Sequence, residues 1–278
     1  TYHKYQDKLR CHYCGQQYPP VHICPACGSN KIAARSFGTE KIEDDIRKVF
    51  PKAAVARMDF DAVKSKEGHN KLIALFEQRR VDILVGTQMI VKGLDFEHVN
   101  LVGILNADNL LNYPDFRVNE RAFQLMEQVS GRSGRKEEQG LVVIQAANLK
   151  HPVLQYVKDH DYNAMYEMEI SQRGQFGYPP FYRLVKITLK HKKQNTVIRA
   201  AEQLATQLRP VLKKFIVGPA APLIGRLRNY YLMELLVKLP RDTHQITRIK
   251  DLLKEQFAKL QTDKQFRSVI IIPDVDCN

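Results

Sequence analysis

The sequence predicts an α/β protein in two domains, and three observations carry that prediction. Strands and helices alternate through residues 33–147; a strand-helix-strand-strand-helix-strand order follows from residue 181; and two C-x-x-C pairs stand ahead of both. At 278 residues the chain has room for about two ordinary domains with their own cores. The 44% apolar and 26% charged content is that of a globular protein, and no apolar run nears the roughly 18 residues of a membrane span. No membrane partner is expected, and a cytoplasmic location is the default. The chain opens on Thr1, without a Met or a leader, which predicts further sequence upstream.

Residues 1–32 are rich in Cys, His, Tyr and Pro and lack periodic apolar positions, so a metal is expected to stand in for a core there. Cys11 pairs with Cys14 and Cys24 with Cys27, each couple followed by a glycine, Gly15 or Gly28. In a chain with no secretory leader, such couples read as Zn2+ ligands before disulfides, because the turn presents two thiolates to one tetrahedral ion. Cys277 reads as an ordinary thiol.

Residues 33–150 are expected to form a parallel-sheet domain. A helix starts at Thr39 as N-cap, places Ile42, Ile46 and Val49 on one face, and stops at Pro51. A strand at 55–58 and a helix at 70–78 follow. The short β-branched runs at 81–85 and 101–105 are strands covered on both faces, which implies parallel pairing. A helix at 119–129 and a strand at 141–145 complete the unit, whose ligands should meet the loops at the strands' carboxyl ends. Residues 151–180 are a helical linker, with one helix over 153–173 and a break at Tyr178-Pro179-Pro180. From 181 to 278, strands at 182–190, 215–217, 230–239 and 268–272 enclose helices at 196–212 and 243–260. That βαββαβ order predicts a split α/β sandwich of ferredoxin-like type.

A net charge of +13 implies a polyanionic partner, nucleic acid first, with basic concentrations at 190–193, 209–214 and 226–228. Arg226, Arg228 and Tyr230 lie on a basic, aromatic hairpin suited to DNA phosphate contact and base stacking.

Two loops carry chemistry. Gly86 to Phe96 follows a buried strand, and its Thr87, Gln88 and Lys92 can grip a nucleic-acid phosphate while Gly93 and Asp95 reach a nucleotide's ribose side. Gln128-Val129-Ser130-Gly131-Arg132-Ser133-Gly134-Arg135 brings two rigid guanidinium forks, freed by flanking glycines, against phosphates. A Gly-containing turn and a solvated basic loop are the plainer readings of either stretch taken alone.

Together, in this order and separated by a strand and a helix, the two loops resemble motifs V and VI of superfamily 2 helicases. The cysteine-rich segment before F-G-T-E-K-I-E, R-M-D-F-D at 57–61, Y-P-P-F at 178–181, R-L-R-N-Y-Y at 226–231 and I-P-D-V-D at 272–276 narrow this further. The chain resembles, over essentially its whole length, the bacterial primosomal replication-restart helicases. The resemblance implies a RecA-like second helicase lobe in an ATP-dependent 3′ to 5′ DNA helicase acting on forked and single-stranded DNA. It also implies work with the single-stranded DNA-binding protein and other primosome proteins, in the bacterial cytoplasm at the nucleoid.

By the same resemblance, Arg135 is the arginine finger, Arg132 a second phosphate contact and Gln128 a sensor of nucleotide state. ATP with Mg2+ is completed only by the first lobe, since this sequence holds neither a Walker A loop nor a D-E-x-H box. The family carries eight cysteines binding two zinc ions in a nested arrangement, and four are present here. Nesting implies that Cys11 and Cys14 serve one ion and Cys24 and Cys27 the other; a single site built from all four thiolates is the other arrangement. Two further readings stay open: a non-enzymatic zinc and nucleic-acid-binding module, and a superfamily 2 motor acting on RNA.

Overall fold

The computed structural model describes residues 2–3, 8–10, 17–24, 27–31, 38–59, 62–63, 65–87, 90, 99–131 and 140–276. By density of contacts the chain divides into two units, one reaching Met165 and the other starting at Tyr166.

In the first unit, β1 (Tyr2–His3), β2 (Lys8–Arg10) and β3 (Gln17–Tyr18) make a small antiparallel sheet in that order. The sequence held no signal for it, since two-residue strands have no readable period. Then α1 (Thr39–Val49) leads to β4 (Val55–Met58), α2 (Lys66–Glu77) to β5 (Ile83–Gly86), and β6 (Leu101–Ile104) to α3 (Asp108–Leu111). The unit continues with α4 (Val118–Ser130), β7 (Leu141–Ile144) and α5 (Pro152–Asp159). Strands β4 and β5 pair in parallel, Val55 opposite Ile83, and so do β6 and β7, Leu101 opposite Leu141. Met58, Val85, Ala107, Leu111, Ala122, Phe123, Met126, Val153, Leu154 and Val157 are buried.

Three details differ from the sequence reading. Gly38, not Thr39, caps α1, because the Thr39 hydroxyl donates to the Asp59 carboxylate at the end of β4. α2 begins four residues earlier than its apolar spacing indicates, because the Ser65 hydroxyl accepts from the Gly68 amide at 3.0 Å. The helix expected over 153–173 is two helices, α5 and α6 (Tyr162–Phe176). His160 closes α5 in the left-handed region, φ 54°, and its Nδ1 lies 3.0 Å from the Glu127 carboxylate.

The second unit is built on β8 (Tyr182–His191), α7 (Gln194–Leu212), β9 (Ile216–Ala220), β10 (Arg226–Leu227), β11 (Tyr230–Pro240), α8 (Thr243–Thr262) and β12 (Ile270–Val275). Every pairing is antiparallel. β12 lies beside β8, β8 beside β11, and both β9 and β10 pair with β11. α7 and α8 cover one face. Val185, Ile187 and Leu189 of β8 and Leu235, Val237 and Leu239 of β11 pack there with Leu204 and Leu208 of α7 and Leu253 and Leu260 of α8. The Asp242 carboxylate caps α8, accepting from the amides of His244 at 2.9 Å and Gln245 at 3.3 Å.

Candidate nucleotide and nucleic-acid site

Thr87 leaves the carboxyl end of β5, where a parallel unit places ligand contacts. The residue before it has no room for a side chain. A Cβ on Gly86 would stand 2.3 Å from the Met58 carbonyl oxygen and 2.5 Å from Cδ1 of Ile90. This close approach sets the point from which the loop departs, and Thr87 itself is exposed. Gln88, Lys92, Gly93 and Asp95 lie outside the described residues.

Gln128 is exposed in the last turn of α4, and Gly131 caps that helix. Three side chains, Ala122, Phe123 and Met126, sink α4 into the unit, and Glu127 fastens its last turn to His160. The Phe123 and Tyr162 rings meet at 6.2 Å. The start of the Gly-Arg loop is therefore held from two sides, by burial and by an ion-pair-capable hydrogen bond. Arg132 and Arg135 lie outside the described residues.

A polar cluster that sequence reasoning did not assemble joins α1 to β4. Buried Asp59 accepts from the Thr39 hydroxyl and from the Ala62 amide at 2.8 Å, and Arg57 Nε lies 3.5 Å from both Asp59 and Glu43. Arg47 reaches Glu43 at 2.7 Å and the Val55 carbonyl at 3.0 Å. The two quoted stretches F-G-T-E-K-I-E and R-M-D-F-D thus meet through their polar residues. Only the pairing of strand with helix in space reveals it, since the partners lie 20 positions apart.

Of the cysteines, Cys24 and Cys27 are described and Cys11 and Cys14 are not. The Cys24 carbonyl accepts from the Gly28 amide at 2.9 Å, and the Cys24 amide donates to Ser29 at 2.8 Å. Gly28 has φ +69°, a conformation that side chains rarely adopt. A tight turn of this form suits a thiolate couple, so the residues present fit half of a four-thiolate donor set.

In the second unit, β10 and β11 form a hairpin with Leu227 opposite Tyr230. Its two turn residues, Arg228 and Asn229, have φ of 47° and 67°, as a two-residue hairpin turn needs. The Arg226 guanidinium lies 5.0 Å from the centre of the Tyr231 ring and donates to the Asn229 side chain at 2.8 Å. Lys190 Nζ, from β8, lies 5.6 Å from the Tyr230 ring centre. Arg226, Arg228 and Tyr230 thus belong to one hairpin, with Arg226 beside the Tyr231 ring on one face and Tyr230 beside Lys190 on the other.

At the other end of this sheet Lys238 donates to the Phe176 carbonyl at 2.6 Å and sits 3.9 Å from the Tyr178 ring centre. Burial pulls its pKa below the usual 10.5, against the pull of those two contacts toward the charged form.

Residues 31–137 match the model of the helicase conserved C-terminal domain, and residues 174–277 that of the primosomal protein N C-terminal domain. The chain is 39% identical over 275 residues to the replication restart protein PriA of Bacillus subtilis (strain 168), covering 98% of this chain and 34% of that protein. It is 39% identical over 244 residues to PriA of Treponema pallidum (strain Nichols), covering 86% and 37%. Against PriA of Haemophilus influenzae it is 34% identical over 280 residues, covering 99% and 37%. The chain thus spans about a third of the length of the curated relatives it matches.

Proposed function

The chain belongs to the PriA family of replication restart proteins and corresponds to its carboxyl-terminal region, and from that premise we propose that it is the second motor lobe and DNA-gripping domain of a replication-restart helicase. The observation that carries this reading is the order β5, Thr87 loop, β6, α4, Gly-Arg loop, within a span that matches a helicase model. Residues 33–150 act as a RecA-like lobe, 151–180 as the linker, and 181–278 as an α/β sandwich of ferredoxin-like type. Residues 1–32 are the zinc-binding segment.

In this mechanism the lobe contributes charge and position. Arg135, with Arg132 as a second phosphate contact, stabilises the negative charge that builds on the transferring γ-phosphate, an effect worth about 10³ or more in rate. Gln128, exposed at the end of a firmly packed helix, relays the state of the nucleotide to α4. Gly93 and Asp95 meet the ribose side of ATP, and Thr87, Gln88 and Lys92 hold the DNA backbone. ATP with Mg2+ is held between this lobe and a first lobe that carries the phosphate-binding loop. Cys24 and Cys27, with Cys11 and Cys14 as further donors, would hold Zn2+, which would cross-link the amino-terminal segment.

Forked and single-stranded DNA are the substrates, the single-stranded DNA-binding protein and other primosome proteins the partners, and the cytoplasm at the nucleoid the location. Among the described residues no helix is long and apolar enough to cross a membrane.

The deciding experiment is Arg135→Ala in the full-length protein. DNA-stimulated ATP hydrolysis is expected to fall about 1000-fold with nucleotide binding nearly kept. ATPase activity at the wild-type level would sink the finger assignment and favour a non-enzymatic binding module.

A further inference from the structure

One buried carboxylate of the first unit takes no part in the mechanism given above. Asp59 follows the last residue of β4 and is 7% exposed. A carboxylate taken out of water costs free energy unless donors and a countercharge surround it. Here they come from three directions. Its Oδ2 accepts from the Thr39 hydroxyl at the start of α1 and lies 3.5 Å from Arg57 Nε of β4. Its Oδ1 accepts from the Ala62 amide of its own turn at 2.8 Å, and its main-chain carbonyl accepts from the Val63 amide at 2.9 Å.

The place of this cluster in the sheet gives it a consequence. Met58 and Gly86 are partners in the parallel register, so Asp59 and Thr87 are the first residues beyond the paired ends of β4 and β5. Both leave at the carboxyl ends, the side on which a parallel sheet meets its ligands. Two turns therefore start side by side, one closed by Val63 on Asp59 and the other by the Ile90 amide on the Thr87 carbonyl at 3.0 Å.

The two turns are also in contact. The Met58 carbonyl, in the peptide that leads into Asp59, fills the space where a side chain on Gly86 would stand, and the Ile90 side chain fills the rest. Met58 itself is fully buried. A shift of Asp59 thus carries the Met58 carbonyl against Gly86, from which Thr87 departs. The Arg47 bond to the Val55 carbonyl, 3.0 Å, fastens α1 to the opposite end of β4 and has no such reach.

We propose that Asp59 is a positioning residue for the Thr87 loop. Held by the Thr39 hydroxyl, it fixes the end of β4 and, through the Met58 carbonyl against Gly86, the point from which Thr87 leaves β5. The proposal deepens the DNA-holding role given above to that loop, and rests on it. Asp59 acts through Gly86 and Thr87, not by touching the ligand. A misplacement of about 1 Å at a group that orients a ligand can cost about 100-fold, and a short turn has little rigidity of its own. A buried carboxylate bonded to a helix, a strand and a turn supplies that rigidity from the next strand. A cluster that only stabilised the lobe would lower the melting temperature and leave the DNA dependence of hydrolysis unchanged.

The test replaces Thr39 in the full-length protein. Thr39→Val keeps the shape and removes the donor to Asp59, whereas Thr39→Ser keeps the donor. The oligo-dT concentration that half-activates ATP hydrolysis is expected to rise about 10-fold in Thr39→Val, with KM for ATP within about 2-fold of the wild type. Thr39→Ser is expected to return it to within about 2-fold of the wild type. Asp59→Asn, which keeps the size and removes the charge, is expected to raise it as well. Arg47→Gln, which frees the far end of β4, is expected to lower the melting temperature and leave the half-activating concentration unchanged. Hydrogen exchange on the 278-residue chain reads the coupling without hydrolysis: Thr39→Val is expected to speed exchange in β5 as well as in β4.

Far-UV circular dichroism and melting check that the variants fold, and if Thr39→Val does not, Asp59→Asn decides. A wild-type half-activating concentration in the folded variant overturns the proposal. So does a Thr39→Ser variant as impaired as Thr39→Val, or an Arg47→Gln variant that raises the concentration as far. Exchange in β5 at the wild-type rate overturns it too, whatever hydrolysis shows. The motor reading is tested by hydrolysis in Arg135→Ala and the coupling by exchange in β5, so the two failures are told apart.

Discussion

The two units handle a sheet in opposite ways. In the second, β8 and β11 pair along ten consecutive positions, from Tyr182 with Pro240 to His191 with Tyr231. One face of that pairing is sealed by two helices of 19 and 20 residues. In the first, β4 to β7 are four residues long and paired in parallel, and Leu101, Leu141 and Val143 are 61%, 60% and 51% exposed. Long antiparallel strands alternate their faces and settle their burial locally, with helices returning onto the same hairpins. Short parallel strands hold each other only through crossovers, and what they present is the loops at their carboxyl ends. The first unit therefore presents the ends of its strands, Thr87 leaving β5 among them, while the second presents a long sheet.

The contrast can be broken by mutation. The largest effect is expected from Leu204→Ala, which empties a fully buried position between α7 and the sheet. It should cost about 3 kcal/mol, and peptide-resolved hydrogen exchange should show the loss over residues 181–276 with the first unit little changed. Equal loss of protection in both units would show that they share one cooperative core.

A smaller effect is expected from Gly86→Ala. Its new Cβ meets the Met58 carbonyl, which is backbone and cannot swing away, so β4 and β5 must separate. A cost of about 2 kcal/mol is expected, read as faster exchange over β4 and β5. In the full-length protein a KM for DNA that rises more than kcat falls would mark displacement of the Thr87 loop. Unchanged exchange and KM would mean that the close approach does not position that loop.

The smallest is a pH effect at Lys238. Burial lowers its pKa in the folded chain, so below 10.5 the unfolded chain binds more protons, and the contribution of this group to stability rises with pH through that window. Lys238→Met is expected to remove this rise, seen in urea midpoints compared between pH 8 and pH 10. A midpoint difference equal to the wild type would show that the Phe176 carbonyl and the Tyr178 ring, not burial, govern its proton.

Much of the fold could be read from the residues alone. The runs Leu101–Ile104 and Leu141–Ile144 stood out as short, apolar, β-branched stretches, although Leu101 proves 61% exposed where cover on both faces was expected. The stretch from Arg226 to Tyr231 read as a basic, aromatic hairpin and forms one, while its two-residue strand β10 had no readable period. The break at His160 did not, since one left-handed residue leaves the apolar spacing on either side almost unchanged. Nor did the cap of α1, where Asp59 claims the Thr39 hydroxyl from another part of the chain.

By itself, the order of residues determined the alternation of strands and helices, the family, the motif loops and the excess of positive charge, because each is local or additive along the chain. Only the tertiary structure decided which cations share a surface with which aromatic rings, that Gly86 is pinned by a carbonyl, and that Ile270 and Ile272 stand exposed on the sheet face away from α7 and α8. Those are matters of register and of which helix returns to which side, and pairing between residues far apart in the chain sets both.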